Sequence, residues 1–143
     1  KWLKINNYNK ERHNTISTIK LLKKKKYQII TTTTSNENTD LYNIDLNKKI
    51  AIIFGSELNG CSNEALSHSD LKMKIPMYGF TESLNVSVAV SICLHYLSKK
   101  MRDTKIDWKI NKSERENIML DWLRKSIKSS KKIENIFLEK LKI

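Results

Sequence analysis

Two short stretches of the chain carry the residue types that a catalytic or ligand-binding site needs. The first is residues 55–60, GSELNG, in which two glycines surround a carboxylate, Glu57, directly after an apolar run. Its outer spacing matches a phosphate-binding P-loop, but Cys61 replaces the lysine that reaches the phosphates in that motif. It is not a nucleophile elbow either, since GxSxG requires a glycine on each side of the serine. The stretch predicts a strand-end turn with exposed backbone amides and one carboxylate.

The second stretch is residues 75–89, IPMYGFTESLNVSVA, in which small polar side chains follow a loop of proline, glycine and aromatic residues. Ser83, Asn85 and Ser87 stand where a largely apolar helix begins. One interpretation is that Ser83 or Asn85 caps the helix by accepting hydrogen bonds from its first amides. The other is a functional site, because capping requires one such residue and several converge here. The residues alone leave both interpretations open.

The elements that position these stretches alternate between strand and helix. Residues 27–33 and 71–75 have strand patterns, and the apolar run 50–54 is typical of a strand buried on both faces of a parallel sheet. Residues 34–49 are predicted to form a polar loop. Helices are predicted over residues 11–25, 62–68 with Ser62 as its cap, 85–100, 113–127 with a capping box from Ser113 to Glu116, and 133–141. This order predicts an α/β fold with a mainly parallel sheet, at whose carboxyl edge ligands bind.

Glycine and proline are scarce and confined to one region. The 143 residues include three glycines and one proline, all between positions 55 and 79, whereas average composition would supply about ten glycines. With 39% hydrophobic and 29% charged residues the chain can form a core, which argues against collagenous, linker-like and wholly disordered classes. We therefore expect residues 55–79 to need backbone freedom that the rest of the chain does not.

The net charge of +12 is unevenly distributed. Residues 1–49 and 99–143 each carry +7, whereas residues 50–98 carry −2. Basic surfaces favour polyanions such as RNA, because neutralised phosphates release counterions. The 23 lysines against four arginines also fit biased codon usage, so the flanks are equally consistent with solvated helices. The distribution suits a small-ligand site between parts that hold a polyanion.

Cysteine, histidine and hydropathy patterns narrow the class further. Cys61 and Cys93 form no CxxC or Cys/His pair, which indicates reduced thiols in a cytoplasmic protein without zinc or disulfides. None of His13, His68 and His95 has a metal-binding partner three or four residues after it, so we expect no metal site. The uncharged run in the apolar middle is too short to span a membrane, and the first residues do not form a signal peptide.

Residues 52–62, IIFGSELNGCS, and residues 75–89 resemble the second and third motifs of the SpoU-type RNA ribose 2′-O-methyltransferases, which belong to the SPOUT superfamily. Within this family the resemblance is closest to the TrmH type, the tRNA (guanosine-2′-O-)-methyltransferases, and it extends loosely over nearly the whole chain. It implies an α/β domain with a C-terminal deep trefoil knot, S-adenosylmethionine bound in the knot, and a homodimer with the active site at the subunit interface.

The implied reaction is methyl transfer to a ribose 2′-hydroxyl of RNA, with the D-loop guanosine of tRNA as the first choice and ribosomal RNA as the alternative. By the same resemblance, Glu57, Ser83 and Asn85 fall on the polar active-site positions of the family. The implied cofactor-binding residues are Thr32, Thr33, Gly55, Ile75, Met77 and Leu84. Transfer from a sulfonium needs in-line positioning and loss of the hydroxyl proton, so no metal is required.

One motif of the family has no counterpart in the sequence. The first motif carries an Asn and a catalytic Arg, and the arginines of this chain all lie in other contexts. We therefore expect a partial methyltransferase domain over residues 1–100 whose N-terminal part is missing, with the knot and cofactor loops at about 31–97, and a helical extension over residues 101–143. Without that Arg, a catalytically silent RNA-binding module is a further alternative.

Overall fold

A four-stranded parallel sheet organises the chain in the computed structural model, which describes residues 3, 5–8, 14–35 and 39–141. The strands are β1 (Tyr27–Thr32), β2 (Thr39–Asp40), β3 (Lys49–Ile53) and β4 (Leu71–Lys74). Their order across the sheet is β2-β4-β1-β3, and every neighbouring pair runs parallel. The expected α/β fold with a parallel sheet is confirmed.

The strands alternate with helices, as expected. The described residues form α1 (Asn14–Lys24), α2 (Asn63–His68), α3 (Val86–Asp103), α4 (Lys112–Ser126) and α5 (Ser130–Leu141). The beginning of the helix expected over residues 11–25 lies outside the described residues. The expected polar loop at 34–49 contains β2 and a short 3-10 helix, Leu41–Asn43. A two-residue strand has too few residues for an alternating pattern, so the sequence did not reveal it.

Side-chain caps mark where two of the helices begin. The Ser62 Oγ accepts a hydrogen bond from the Ala65 amide at 3.2 Å, which confirms the cap expected for α2. The capping box expected from Ser113 to Glu116 is wrong. Asn111 caps α4 instead, because its Oδ1 accepts a hydrogen bond from the Glu114 amide at 2.8 Å and so satisfies a donor of the first turn.

The central strand β1 has the most deeply buried residues of the sheet. Ile29, Ile30 and Thr31 are fully buried, since β1 lies between β4 and β3. The expectation that residues 50–54 form a strand buried on both faces is wrong. The residues of β3 are partly buried or exposed because β3 forms one edge of the sheet within the described residues. An apolar run indicates that a strand contacts a hydrophobic core. It does not indicate whether the strand lies in the centre of the sheet or at its edge.

The hydrophobic core joins the sheet to α3. Its buried members are Ile30, Leu41, Ile44, Met73, Cys93 and Leu97. Burying one side chain of this size stabilises a fold by about 1.5–3 kcal/mol. Since Met73 of β4 and Ile30 of β1 both belong to this cluster, α3 fixes the two strands whose carboxyl ends surround the site described below.

The chain divides into two compact units. One is Tyr8–Asp107, which holds the sheet and α1 to α3, and the other is Lys1–Asn7 together with Trp108–Ile143, which holds α4 and α5. Within the second unit the Arg124 guanidinium donates to both carboxylate oxygens of Glu134. Neither α4 nor α5 contains a buried residue among its described positions, so apolar side chains such as Phe137 remain exposed.

Candidate functional site

A cavity of about 910 Å³ opens at the carboxyl edge of the sheet. Three loops line it: the one after β1, the one after β3 and the one after β4, together with the start of α3. The volume lies within the range typical of small-molecule sites. In parallel α/β sheets the carboxyl edge is where ligands bind, so this cavity is the candidate functional site.

The loop after β3 is a tight turn whose two ends touch. Ser56 and Gly60 exchange backbone hydrogen bonds of 3.0 and 2.9 Å, and the Ser56 Oγ accepts a third from the Asn59 amide at 3.2 Å. A Cβ on Gly55 would lie 1.9 Å from the carbonyl carbon of Gly60. Gly60 itself has a φ of 62°, the left-handed region that glycine tolerates best. The expected need for backbone freedom is therefore confirmed at both glycines of this turn.

Threonines at the end of β1 tie the first loop to its neighbours. The Thr32 hydroxyl donates to the Ile53 carbonyl at 3.2 Å, and the Thr33 amide donates to the Met73 carbonyl at 2.9 Å. The Cys61 Sγ donates to the same Ile53 carbonyl at 3.6 Å and lies 4.0 Å from the Thr32 hydroxyl. These bonds hold the loop after β1 in place beside the turn after β3.

The structure brings together at the cavity all but one of the expected site residues. The lining includes Glu57 and Ser83 from the expected active-site set and Thr32, Thr33, Gly55, Ile75, Met77 and Leu84 from the expected cofactor-binding set. Glu57 and Ser83 are exposed, whereas the other six are partly buried. Two loops far apart in sequence thus present their polar groups to one space.

Asn85 is the expected site residue that does not line the cavity in this structure. It caps α3, and its Oδ1 accepts hydrogen bonds from the Ser87 amide at 2.9 Å and from the Ser87 hydroxyl at 2.5 Å. The capping interpretation therefore describes Asn85 here, while Ser83 and Leu84 border the cavity. Asn85 is exposed and directly follows Ser83 and Leu84, so it is adjacent in sequence to two residues that line the cavity.

Sequence reasoning missed three charged residues that line the cavity: Asp40, Lys74 and Glu82. Asp40 ends β2, Lys74 ends β4, and the two are register partners in the sheet. The Lys74 Nζ lies 3.7 Å from the Asp40 Oδ1, a buried atom without a hydrogen-bond partner among the described residues. Asp40 carried no signal because it lay in a predicted loop. Lys74, a charged residue at the carboxyl end of a strand, offered the only clue.

The remaining chemically reactive side chains lie elsewhere. His68 belongs to α2 and contacts the Glu64 carbonyl at 2.9 Å through its Nδ1, and His95 lies on the exposed side of α3. Burial raises the pKa of the Cys93 thiol, which lies in the core. His13 lies outside the described residues. No group of metal-binding side chains occurs within the described parts of the chain.

Comparison with known proteins defines the family. The profile of the SpoU rRNA Methylase family matches residues 2–95, and the chain belongs to this family. It is 40% identical over 135 residues to the tRNA (guanosine(18)-2′-O)-methyltransferase of Borreliella burgdorferi. The aligned region covers 94% of this chain and 60% of that protein. The chain therefore spans about 60% of the length of that curated relative.

Solved structures share the fold. The TrmH/SpoU tRNA modifying enzyme of A. aeolicus superposes with a TM-score of 0.69 at 28% identity, covering 87% of this chain and 61% of that one. The SpoU methyltransferase AviRb of Streptomyces viridochromogenes, solved with AdoMet, superposes with a TM-score of 0.57 at 19% identity, covering 66% of this chain and 38% of that one. At that identity the second likeness concerns the fold alone. Among the described helices, none is long and apolar enough to cross a membrane.

Proposed function

We propose that this protein transfers a methyl group from S-adenosylmethionine to a ribose 2′-hydroxyl of tRNA, at the D-loop guanosine. The name of its Borreliella relative contains guanosine 18, which we take as the position. The observation that carries the proposal is the cavity at the carboxyl edge, because both family motifs line it from separate loops. Ribosomal RNA is the alternative substrate within the same chemistry, consistent with the name of the family profile.

The lining suits a nucleoside cofactor. A cavity of about 910 Å³ accommodates a molecule of this size, and the missing Cβ of Gly55 lets two backbone segments meet at its wall. In the proposal Thr32, Thr33, Gly55, Ile75, Met77 and Leu84 hold the cofactor, mostly through backbone groups and apolar contact. S-adenosylmethionine supplies an electrophilic methyl group when bound.

The protein's own groups would position the acceptor ribose. Ser83 borders the cavity and Asn85 follows it by two residues, so neutral hydrogen bonds from these side chains orient the ribose in the proposal. Glu57 adds a carboxylate on the opposite loop. Arg102, the described arginine of the unit that holds the cavity, does not line it. The described residues of this unit thus offer positioning groups without an arginine in the cavity lining.

A homodimer is part of the proposal. Exposed apolar side chains stand on the cavity loops, where Leu58, Tyr78 and Phe80 are each more than nine-tenths exposed. Val88 and Leu94 are exposed on α3 of the same unit. A second copy that covers these side chains would remove apolar surface from water next to the site. This arrangement would place the active site at the subunit interface.

Three further parts of the proposal concern organisation. We infer a trefoil knot within residues 31–97, in accord with a sheet order in which β4 inserts between β2 and β1. Residues 1–100 form the methyltransferase part and residues 101–143 form a helical extension, in a cytoplasmic protein.

The exposed lysines at the end of α1 and along α4 and α5 offer contacts to RNA phosphates. Such contacts fix the orientation of the RNA without recognising its base sequence.

Methyl transfer from labelled S-adenosylmethionine tests the function. We expect label in unmodified tRNA. We expect no label in the same tRNA with 2′-deoxyguanosine at position 18, the acceptor position in the relative's name. Label in ribosomal RNA alone would select the alternative substrate. Binding of tRNA without transfer to any RNA would favour a catalytically silent RNA-binding module.

Two substitutions of Asn85 separate its cap from its proposed catalytic role. Asn and Ser are comparable N-cap residues, whereas Ala costs about 1 kcal/mol of stability. We expect both Asn85→Ala and Asn85→Ser to abolish methyl transfer, because both remove the amide that orients the ribose. Urea unfolding should show that Asn85→Ser is as stable as the wild type. Methyl transfer by Asn85→Ser at the wild-type rate would show that Asn85 only caps α3.

A further inference from the structure

We propose that Glu82 recognises the base of the acceptor nucleotide and selects guanine. The inference rests on the proposed function, since it assumes that a guanosine of tRNA enters the cavity. The Watson–Crick edge of guanine presents two adjacent donors, the N1–H and the exocyclic amino group. An ionised carboxylate accepts hydrogen bonds through two oxygens, so it is complementary to that edge.

The three carboxylates that line the cavity have different surroundings. The Asp40 carboxylate lies 3.7 Å from the Lys74 Nζ through its Oδ1, and that oxygen is buried, so it cannot contact a ligand. Glu57 and Glu82 are exposed, and no described residue forms a hydrogen bond or an ion pair with either side chain. Two carboxylates are therefore open to a ligand.

Position in the chain favours Glu82 over Glu57 for contact with the base. Glu82 directly precedes Ser83, which orients the acceptor ribose in the proposed function. Glu57 lies on a different loop, the turn after β3. Because one bond joins a base to its ribose, neighbouring residues of one loop can contact both parts of the same nucleoside.

The charge of the cavity favours a base over a phosphate as the group that enters. Its charged lining residues are three carboxylates and one ammonium, that of Lys74, although the chain as a whole carries +12. Like charges repel, so phosphates are held more favourably by the basic surfaces than by this cavity. Bases of single-stranded RNA loops can turn away from their neighbours and form hydrogen bonds through their Watson–Crick edges.

A carboxylate at this place also discriminates against adenine. The Watson–Crick edge of adenine has one amino donor next to the lone pair of N1, so the second carboxylate oxygen would face an acceptor. A glutamine side chain has one acceptor and one donor and instead matches adenine. Glu82→Gln should therefore lower methyl transfer to guanosine and raise transfer to adenosine.

The ratio of kcat/KM for two tRNAs tests the inference. The tRNAs differ only in having guanosine or adenosine at position 18, the acceptor position in the relative's name. We expect the wild type to prefer guanosine and Glu82→Gln to reduce the guanosine-to-adenosine ratio by about tenfold, the discrimination typical of one bidentate contact to a base. Any effect of the exchange on the fold of the tRNA is common to all variants and cancels in this comparison.

Two control variants accompany Glu82→Gln. Glu82→Asp keeps the carboxylate and should retain the preference for guanosine. Asp103→Asn removes a carboxylate from the end of α3, outside the cavity lining, and should leave the ratio unchanged. Circular dichroism establishes that each variant is folded.

Equilibrium binding provides a second measurement that does not depend on transfer. The affinity for each tRNA is measured by fluorescence anisotropy with S-adenosylhomocysteine, the demethylated cofactor, at saturation. We expect Glu82→Gln to lower the guanosine-to-adenosine affinity ratio as well. An unchanged ratio in either measurement, even with weaker binding or slower transfer for both tRNAs, would overturn the role of Glu82 while the proposed function stands. A wild type that transfers no methyl group to any RNA would overturn the proposed function and this inference with it.

Discussion

Two aspartates flank strand β4 and differ in how the protein uses them. Asp70 directly precedes β4, and Asp40 lies beside Lys74 at the other end. The Asp70 Oδ2 accepts a hydrogen bond from the Ile29 amide at 2.8 Å, and its Oδ1 lies 2.6 Å from the Lys23 Nζ. The Asp40 Oδ1 has no donor among the described residues.

The difference separates a structural end of the sheet from a binding end. At the amino end of β4 the Asp70 amide also donates to the Ile29 carbonyl at 2.8 Å, and the Thr31 hydroxyl donates to the Ser69 hydroxyl at 3.0 Å. Polar groups there are satisfied within the chain. At the carboxyl end the loops are also hydrogen-bonded to one another, but exposed polar side chains such as Glu57 and Ser83 line a cavity. Exposed polar side chains on a cavity wall thus distinguish the binding end from the structural end.

The largest effect is expected from Gly55→Ala, at the binding end. The added Cβ would lie 1.9 to 2.3 Å from three backbone atoms of Gly60 and Cys61, so the turn after β3 must open. Displacement of a positioning loop by about 1 Å can cost about 10²-fold in activity. We expect a loss of methyl transfer of at least this size, measured with labelled cofactor and tRNA.

Gly60→Ala is the matched control for this prediction. Its Cβ would meet nothing within 4 Å, although a φ of 62° makes alanine strained there by about 1–2 kcal/mol. We expect a smaller loss of transfer than for Gly55→Ala. Equal transfer by Gly55→Ala and the wild type would show that the closed turn is not needed for binding.

Asp70→Ala is expected to lower stability without changing cofactor affinity. The substitution leaves the Ile29 amide, which belongs to a fully buried residue, without its side-chain acceptor. An unsatisfied buried donor costs about 1–3 kcal/mol. Urea unfolding should show that loss, while calorimetry should show unchanged binding of S-adenosylhomocysteine. Weaker binding in the folded variant would contradict a division of roles between the two ends.

A smaller effect is expected when pH changes. Burial raises the pKa of Asp70, but the hydrogen bond from Ile29 and the Lys23 ammonium outweigh it and leave the pKa below its ordinary value. A carboxylate whose pKa is lowered by folding stabilises the fold above the pKa of the unfolded chain, about 4. That contribution is lost as pH falls through the lower value in the folded state.

The comparison of the wild type with Asp70→Asn isolates the contribution of the ionised Asp70 carboxylate to stability. The difference in the free energy of unfolding should be constant above about pH 4 and shrink below it. A difference that grows on acidification would mean that the carboxylate is not stabilised by its neighbours in the folded chain.

The sequence predicted what depends on local pattern. The alternation of strands and helices and the cap at Ser62 are confirmed, and the structure brings the two motifs together at one cavity. The two wrong predictions each required a choice between alternatives with similar sequence patterns. Asn111 competes with Ser113 for the cap of α4, and the apolar run of β3 looks like that of a central strand.

The part of the site that could not be predicted depends on long-range pairing. Asp40 reaches the cavity because the short β2 pairs with β4, which lies far away in sequence. No local pattern marks a two-residue strand. Asn85 shows the converse, since its type suited both a cap and a catalytic role, and only the structure shows that it caps α3.

The central claim is that the cavity at the carboxyl edge binds the cofactor. Titration of the isotope-labelled chain with S-adenosylhomocysteine, followed by its two-dimensional amide NMR spectrum, tests this claim most directly. We expect saturable shifts concentrated in residues 32–35, 55–61 and 75–84, and none at Ile29 and Asp70. Shifts confined to the amino end of the sheet or to α4 and α5, or no shifts at saturating ligand, would contradict the claim.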